Sequence, residues 1–109
     1  MTCIDTDVII SFVDEKDPNH EKALRLVNKL SKDRATSMLT LVELASVYSR
    51  ARLENPLALA LYSIEVVNAG IADVDFDSVL KTAFTYVQKL KLKTLDLLHL
   101  VTASISECK

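Results

Sequence analysis

The sequence predicts an α/β fold, a short parallel sheet covered by helices on both faces. Three observations lead there. Short apolar stretches that end abruptly in polar residues alternate with longer helical patterns, in the order β-α-α three times over. The 109 residues hold one glycine and two prolines, too few turn formers for a many-stranded all-β fold. Half of the residues are hydrophobic, chiefly Leu, Val, Ala and Ile with no Trp, enough for a core without staples. Residues 1–109 are read as one domain, because the length is too small for two.

The elements follow in chain order. Thr2 to Asp5 is apolar and then polar, a first strand running into Asp5-Thr6-Asp7. Val8 to Val13 makes a short helix or turn. Asp14 to Asn19 is a loop, with Pro18 suited to a first helical turn and Asp17 to its N-cap. Ala23, Leu24, Val27 and Leu30 have helical spacing, running to about Lys32, with His20 and Glu21 solvated in the first turn. Ala35 to Met38 is the second strand. Thr40 opens a helix from Leu41 to about Glu54, and Asn55-Pro56 punctuates the chain before another from Leu57 to about Asn68. Gly70 falls where a C-cap is wanted. Ile71 to Asp75 alternates as a third strand, and Asp77 caps a helix holding Val79, Leu80, Ala83, Phe84, Val87 and Leu90. The last helix runs from about Leu95 to Ser106. It is apolar nearly all round, so it expects cover on several sides.

Composition narrows the function classes. No run of about 18 apolar residues exists, which argues against a transmembrane helix. Acids at positions 5 and 7 do not suit a basic signal-peptide start, so a cytoplasmic protein is expected. Cys3 and Cys108 lack metal-motif spacing and make no disulfide framework; Cys3 reads as a small buried apolar strand residue. The net charge of −2 does not advertise a nucleic-acid binder. Setting Asp5, Asp7, Glu43 and Asp96 aside around a cation turns that balance into +2, a mildly basic rim that would suit a polyanion.

Three acids stand in apolar company. Asp5 ends the first strand, Glu43 lies within Met38-Leu-Thr-Leu-Val-Glu-Leu-Ala45, and Asp96 interrupts Leu92-Lys-Thr-Leu-Asp-Leu-Leu-His-Leu-Val-Thr-Ala103. An ionised carboxylate in such a setting needs a helix N-terminus, a cation or a metal. In open parallel sheets ligands bind beyond the carboxyl ends of the strands, where helices begin, and all three acids are expected at that edge. Oxygen donors without a thiolate favour Mg²⁺ or Mn²⁺ over zinc. Each acid also has a plainer role. Thr40-Leu-Val-Glu43 is a good capping box, Asp5 or Asp7 suits an Asx turn, and Asp96 suits a first helical turn. His99, one turn after Asp96, either touches the site or is a packed, hydrogen-bonded residue.

Ile4-Asp-Thr-Asp-Val-Ile-Ile10, Ser37-Met-Leu-Thr-Leu-Val-Glu-Leu44 and Thr94-Leu-Asp-Leu-Leu-His-Leu-Val-Thr-Ala103 together resemble the PIN-domain family, in particular its VapC-type toxins. The last segment is the most specific, and the resemblance follows the whole chain in order. It implies a three-layer α/β/α sandwich and a metal-dependent endoribonuclease, usually dimeric, that hydrolyses RNA with Mg²⁺- or Mn²⁺-activated water. Asp5, Glu43 and Asp96 match the family's acidic metal-binding residues. Thr6 matches an Asp-Thr-Asn motif in which Asp7 replaces the usual Asn, and Thr40 matches a frequent hydroxyl position. The resemblance further implies an antitoxin partner, and Arg50, Arg52, Lys91 and Lys93 are candidate RNA contacts. The family usually continues into another strand with a fourth acid, whereas this sequence stops at Lys109. A C-terminally shortened PIN-like domain is therefore expected, one that oligomerises or takes a partner. Two other readings compete: a shortened PIN-like module that binds RNA or protein without cutting, and a phospho-receiver domain with Asp5 or Asp7 as acceptor.

Overall fold

The computed structural model describes residues 2–30, 32–90 and 93–105. The elements are β1 (Thr2–Cys3), α1 (Thr6–Val13), α2 (His20–Lys29), β2 (Arg34–Thr36), α3 (Met38–Arg50), α4 (Pro56–Val66), β3 (Gly70–Ile71), α5 (Phe76–Leu90) and α6 (Thr94–Ile105). This is the β-α-α order read from the sequence. The strands pair in parallel in the order β1-β2-β3, with Thr2 opposite Arg34, Ala35 opposite Gly70 and Thr36 opposite Ile71. The ladder is continued by Ile4 N–H to the Ala35 carbonyl and Ala72 N–H to the Thr36 carbonyl, at 2.9 and 2.8 Å. The Thr36 hydroxyl, fully buried, adds a bond to the Ile4 carbonyl at 3.1 Å. A parallel sheet needs helical crossovers, and these cover it as the outer layers of the α/β/α sandwich.

Two apolar clusters form. Ile4, Ile9, Leu41, Leu44, Ala60, Ile64 and Val67 make the larger one, joining β1 to α1, α3 and α4. Val79, Ala83, Leu97 and Val101 make the smaller, between α5 and α6. α3 and α4 pack against each other, pinned by the Tyr48 hydroxyl. It donates to Ser63 Oγ at 2.7 Å, while Ser63 donates to the Leu59 carbonyl at 2.8 Å.

Several boundaries differ from the sequence reading, each for a local reason. Ser37, not Thr40, caps α3, its Oγ accepting the Thr40 N–H at 3.1 Å, so the helix starts three residues early. α3 ends at Arg50 because Arg52 turns left-handed (φ 61°) and closes two carbonyls: Leu53 N–H to Tyr48 O and Arg52 N–H to Ser49 O. Asn68 (φ 56°) ends α4 in the same way, taking the capping role expected of Gly70. Gly70 has no positive φ and lies in β3. Asp75 rather than Asp77 caps α5, accepting from the Asp77 N–H and the Ser78 hydroxyl, which also cuts the third strand short. Asp17 does not cap α2; it accepts from Asn19 N–H and the Ser11 hydroxyl in the preceding turn. His20 is half-buried, its Nδ1 2.8 Å from the Ser11 carbonyl, and not solvated. Cys3 lies in β1 but is half-buried and not a free thiol, which corrects its reading as a buried apolar residue.

Candidate functional site

Asp5 comes two residues after β1 and stands at the N-cap of α1. Its backbone carbonyl accepts the Ile9 N–H at 3.2 Å, and its side chain makes no capping bond. The carboxylate is therefore exposed and uncommitted, and the Asx-turn alternative is not realised at Asp5. Thr6 is buried. Its Oγ1 lies 3.1 Å from Glu43 Oε1 and 3.2 Å from Thr40 Oγ1, one hydroxyl spanning two acceptors. Asp7 is exposed in the first turn of α1.

Glu43 sits in the second turn of α3, because that helix starts at Met38. The macrodipole fades beyond the first turn, so it gives Glu43 little support. The capping-box alternative is also not realised: the Thr40 N–H goes to Ser37, and the Glu43 carboxylate bonds Thr6 and His99 instead. The His99 contact is a hydrogen bond from Nε2 to Glu43 Oε1, between two side chains about a quarter exposed.

Asp96 lies in the first turn of α6 and is exposed. Its apolar neighbours in sequence point elsewhere: Leu97 and Val101 into the smaller cluster. Burial therefore does not force Asp96 to find a partner; the helix turns it outward into the site. His99, Leu100 and Ala103 follow at helical spacing on the same face. Together with Asp5, Thr6, Asp7, Glu43 and Asp96 they line a cavity of about 350 Å³. The sequence reading left out Leu100 and Ala103 and placed His99 only as an alternative. The i, i+3, i+4, i+7 pattern from Asp96 is the signal that finds all three. Thr40 contributes through Thr6, not by lining the cavity. Arg50 and Arg52, at the far end of α3, and Lys93, just before α6, do not line it either; Lys91 lies outside the described residues.

The cavity's donor set is four carboxylates (Asp5, Asp7, Glu43 and Asp96) and one imidazole, with no thiolate. No three His, Cys, Asp or Glu side chains among the described residues converge closely enough to hold an ion directly. Mg²⁺ ordinarily keeps several waters and takes one or two carboxylates. Hard oxygen donors around a cavity with room for water fit such a hydrated Mg²⁺ or Mn²⁺, and would be a poor choice for zinc. Among the described residues no helix is long and apolar enough to cross a membrane.

A family model described as PIN domain matches residues 2–109. A search of curated proteins found no match. Among solved structures the chain is similar to the crystal structure of VapC20 of Mycobacterium tuberculosis, a sarcin-ricin loop cleaving toxin. The TM-score is 0.79 with 15% identity, over 99% of this chain and 85% of that one. At that identity the likeness speaks for the fold, a small parallel sheet between helical layers. The family match sets aside the phospho-receiver reading, and with nearly every residue inside it, the chain belongs to the PIN-domain family.

Proposed function

We propose that this chain is a VapC-type toxin, an endoribonuclease that hydrolyses RNA phosphodiesters with the help of Mg²⁺ or Mn²⁺. One observation carries the reading: Asp5, Glu43 and Asp96, from three separate parts of the chain, line one cavity. Membership of the PIN family supports it, and the structural relative is itself described as a loop-cleaving toxin. Asp5, Glu43 and Asp96 would hold the cation. When bound, it supplies the Lewis acidity that makes water nucleophilic near neutral pH and offsets charge on a phosphodiester. Thr6 and Thr40 orient Glu43, and Asp7 adds negative charge at the rim. Arg50, Arg52, Lys91 and Lys93 are the proposed contacts to the RNA backbone. The same reading takes residues 1–109 as one domain, cytoplasmic and dimeric, held in check by an antitoxin.

The spread of the carboxylates favours one rival, a PIN-like module that binds RNA or protein without cutting. The deciding experiment is cleavage of a mixed RNA pool by the purified chain with Mn²⁺, with EDTA, and with Asp96→Asn. Expected is metal-dependent cleavage that EDTA stops and that falls at least 100-fold in the folded variant. Undiminished cleavage by Asp96→Asn would remove the site assignment. No cleavage by the folded parent chain would leave the binding module.

A further inference from the structure

We infer that His99 is a positioning residue for Glu43, fixing which carboxylate oxygen faces a cation. The inference rests on the metal-site reading above and extends it to a side chain that reading does not use. Glu43 stands in the second turn of its helix, where no cap and little dipole field hold it. Its restraint is lateral. Thr6 Oγ1 reaches Oε1 from α1 at 3.1 Å, and His99 Nε2 reaches the same Oε1 from α6. Both bonds thus engage one oxygen, and Oε2 is left for the cavity. His99 lines that cavity and, with Asp5 and Ala103, also a second one of about 30 Å³ beside Cys3, Ile4 and Thr36. It is also on the helix that carries Asp96, one turn away. Docking of α6 therefore sets the Asp96 and Glu43 carboxylates relative to each other through one bond. The required hydrogen bond needs only an N–H at Nε2, which the suitable neutral tautomer and the imidazolium both present. Groups that orient a metal-holding side chain in this way typically contribute about 10–100-fold to affinity.

The test is Mn²⁺ binding to the full chain, followed by the resonance of free Mn²⁺, with metal-free thermal melts of the same samples. Parent, His99→Ala, His99→Gln and Asp96→Asn are compared. Gln places an amide N–H near the position of Nε2. Expected is about tenfold or weaker binding in His99→Ala, recovery to within about threefold of the parent in His99→Gln, and a metal-free melt of His99→Gln equal to the parent's. RNA cleavage should follow as a raised Mn²⁺ requirement with the saturated rate largely kept. Binding by His99→Ala as tight as the parent's, or tighter, overturns the inference; the histidine would then be neutral or compete with the cation for Glu43. Equal loss in both His99 variants together with a lowered metal-free melt overturns it in favour of a brace between helices. A parent chain that binds no Mn²⁺ removes the metal-site reading and the inference with it. A parent that binds, with Asp96→Asn weakened and His99→Ala unchanged, removes the inference alone.

Discussion

Arg52 holds a backbone conformation that few L-residues accept. Its φ of 61° puts it in the left-handed region, where a side chain costs about 1–2 kcal/mol relative to glycine. The position persists because the turn it makes satisfies the Tyr48 and Ser49 carbonyls at the end of α3. Arg52→Gly removes that cost but frees the unfolded chain, which takes back part of the gain. The net expectation is a stabilisation of about 0.5–1 kcal/mol, seen as a rise of a few degrees in Tm. No rise would mean that the arginine side chain supplies compensating contacts. At this scale the sequence was legible where a residue carries its chemistry wherever it points. Asp5, Glu43 and Asp96 could be singled out because acids in apolar surroundings are uncommon. It was illegible where direction decides: Asp96 is exposed because of its helical phase, and the Glu43 carboxylate turns to Thr6 and His99, not back to its own helix.

Among the elements, the ends of α2 and α4 are tied together by one side chain. Arg34, at the start of β2, donates from Nη1 to the Val67 carbonyl at 2.9 Å, and from Nη2 to the Val27 and Leu30 carbonyls at 2.9 and 3.4 Å. These oxygens lie at two helix C-termini, where intrahelical donors have run out and the macrodipole is negative. A guanidinium suits the task because its planar fork serves both ends at once. Lysine has one ammonium and serves one end. Arg34→Met should lose about 2 kcal/mol, given the usual worth of hydrogen bonds to charged groups. Arg34→Lys should recover less than half of this. Urea unfolding should show a lower midpoint with an unchanged slope in both; a midpoint like the parent's would mean that water replaces the guanidinium without cost. The order of elements was readable because each has its own period and punctuation. Their ends were not, since Ser37, Asn68 and Asp75 were chosen over equally good neighbours by how the chain enters and leaves the sheet. Nor does any local pattern announce Arg34, whose bonds to the Leu30, Val27 and Val67 carbonyls span 4, 7 and 33 residues.

Over the whole molecule, what the folded chain leaves uncovered matters as much as what it buries. Val79 and Ala83 of α5 enter the smaller cluster. Phe76, Leu80, Phe84 and Val87 follow one another along the adjoining side of the same helix and remain in solvent, Phe84 at 77% exposure. Scattered apolar residues on a surface need no account, but a stripe along one helix marks an association surface more often than not. The last helix was expected to need cover on several sides. Of its described side chains Leu97 and Val101 are buried and Leu100 is exposed, while α5 leaves Phe76, Leu80, Phe84 and Val87 in solvent. The proposed dimer gives this stripe a role, and Phe84 is the residue with which to test it. With so little buried, its replacement by aspartate should leave the melt within about 1 °C of the parent's, as for a surface change of about ±0.5 kcal/mol at most. A carboxylate there would have to be desolvated in any apolar contact between copies, at a cost of several kcal/mol. Light scattering across a dilution series should therefore find dimer for the parent chain, and monomer for Phe84→Asp over the same concentrations. A parent chain that is monomeric throughout would remove the dimer. A dimer that survives Phe84→Asp would move the contact off this face of α5.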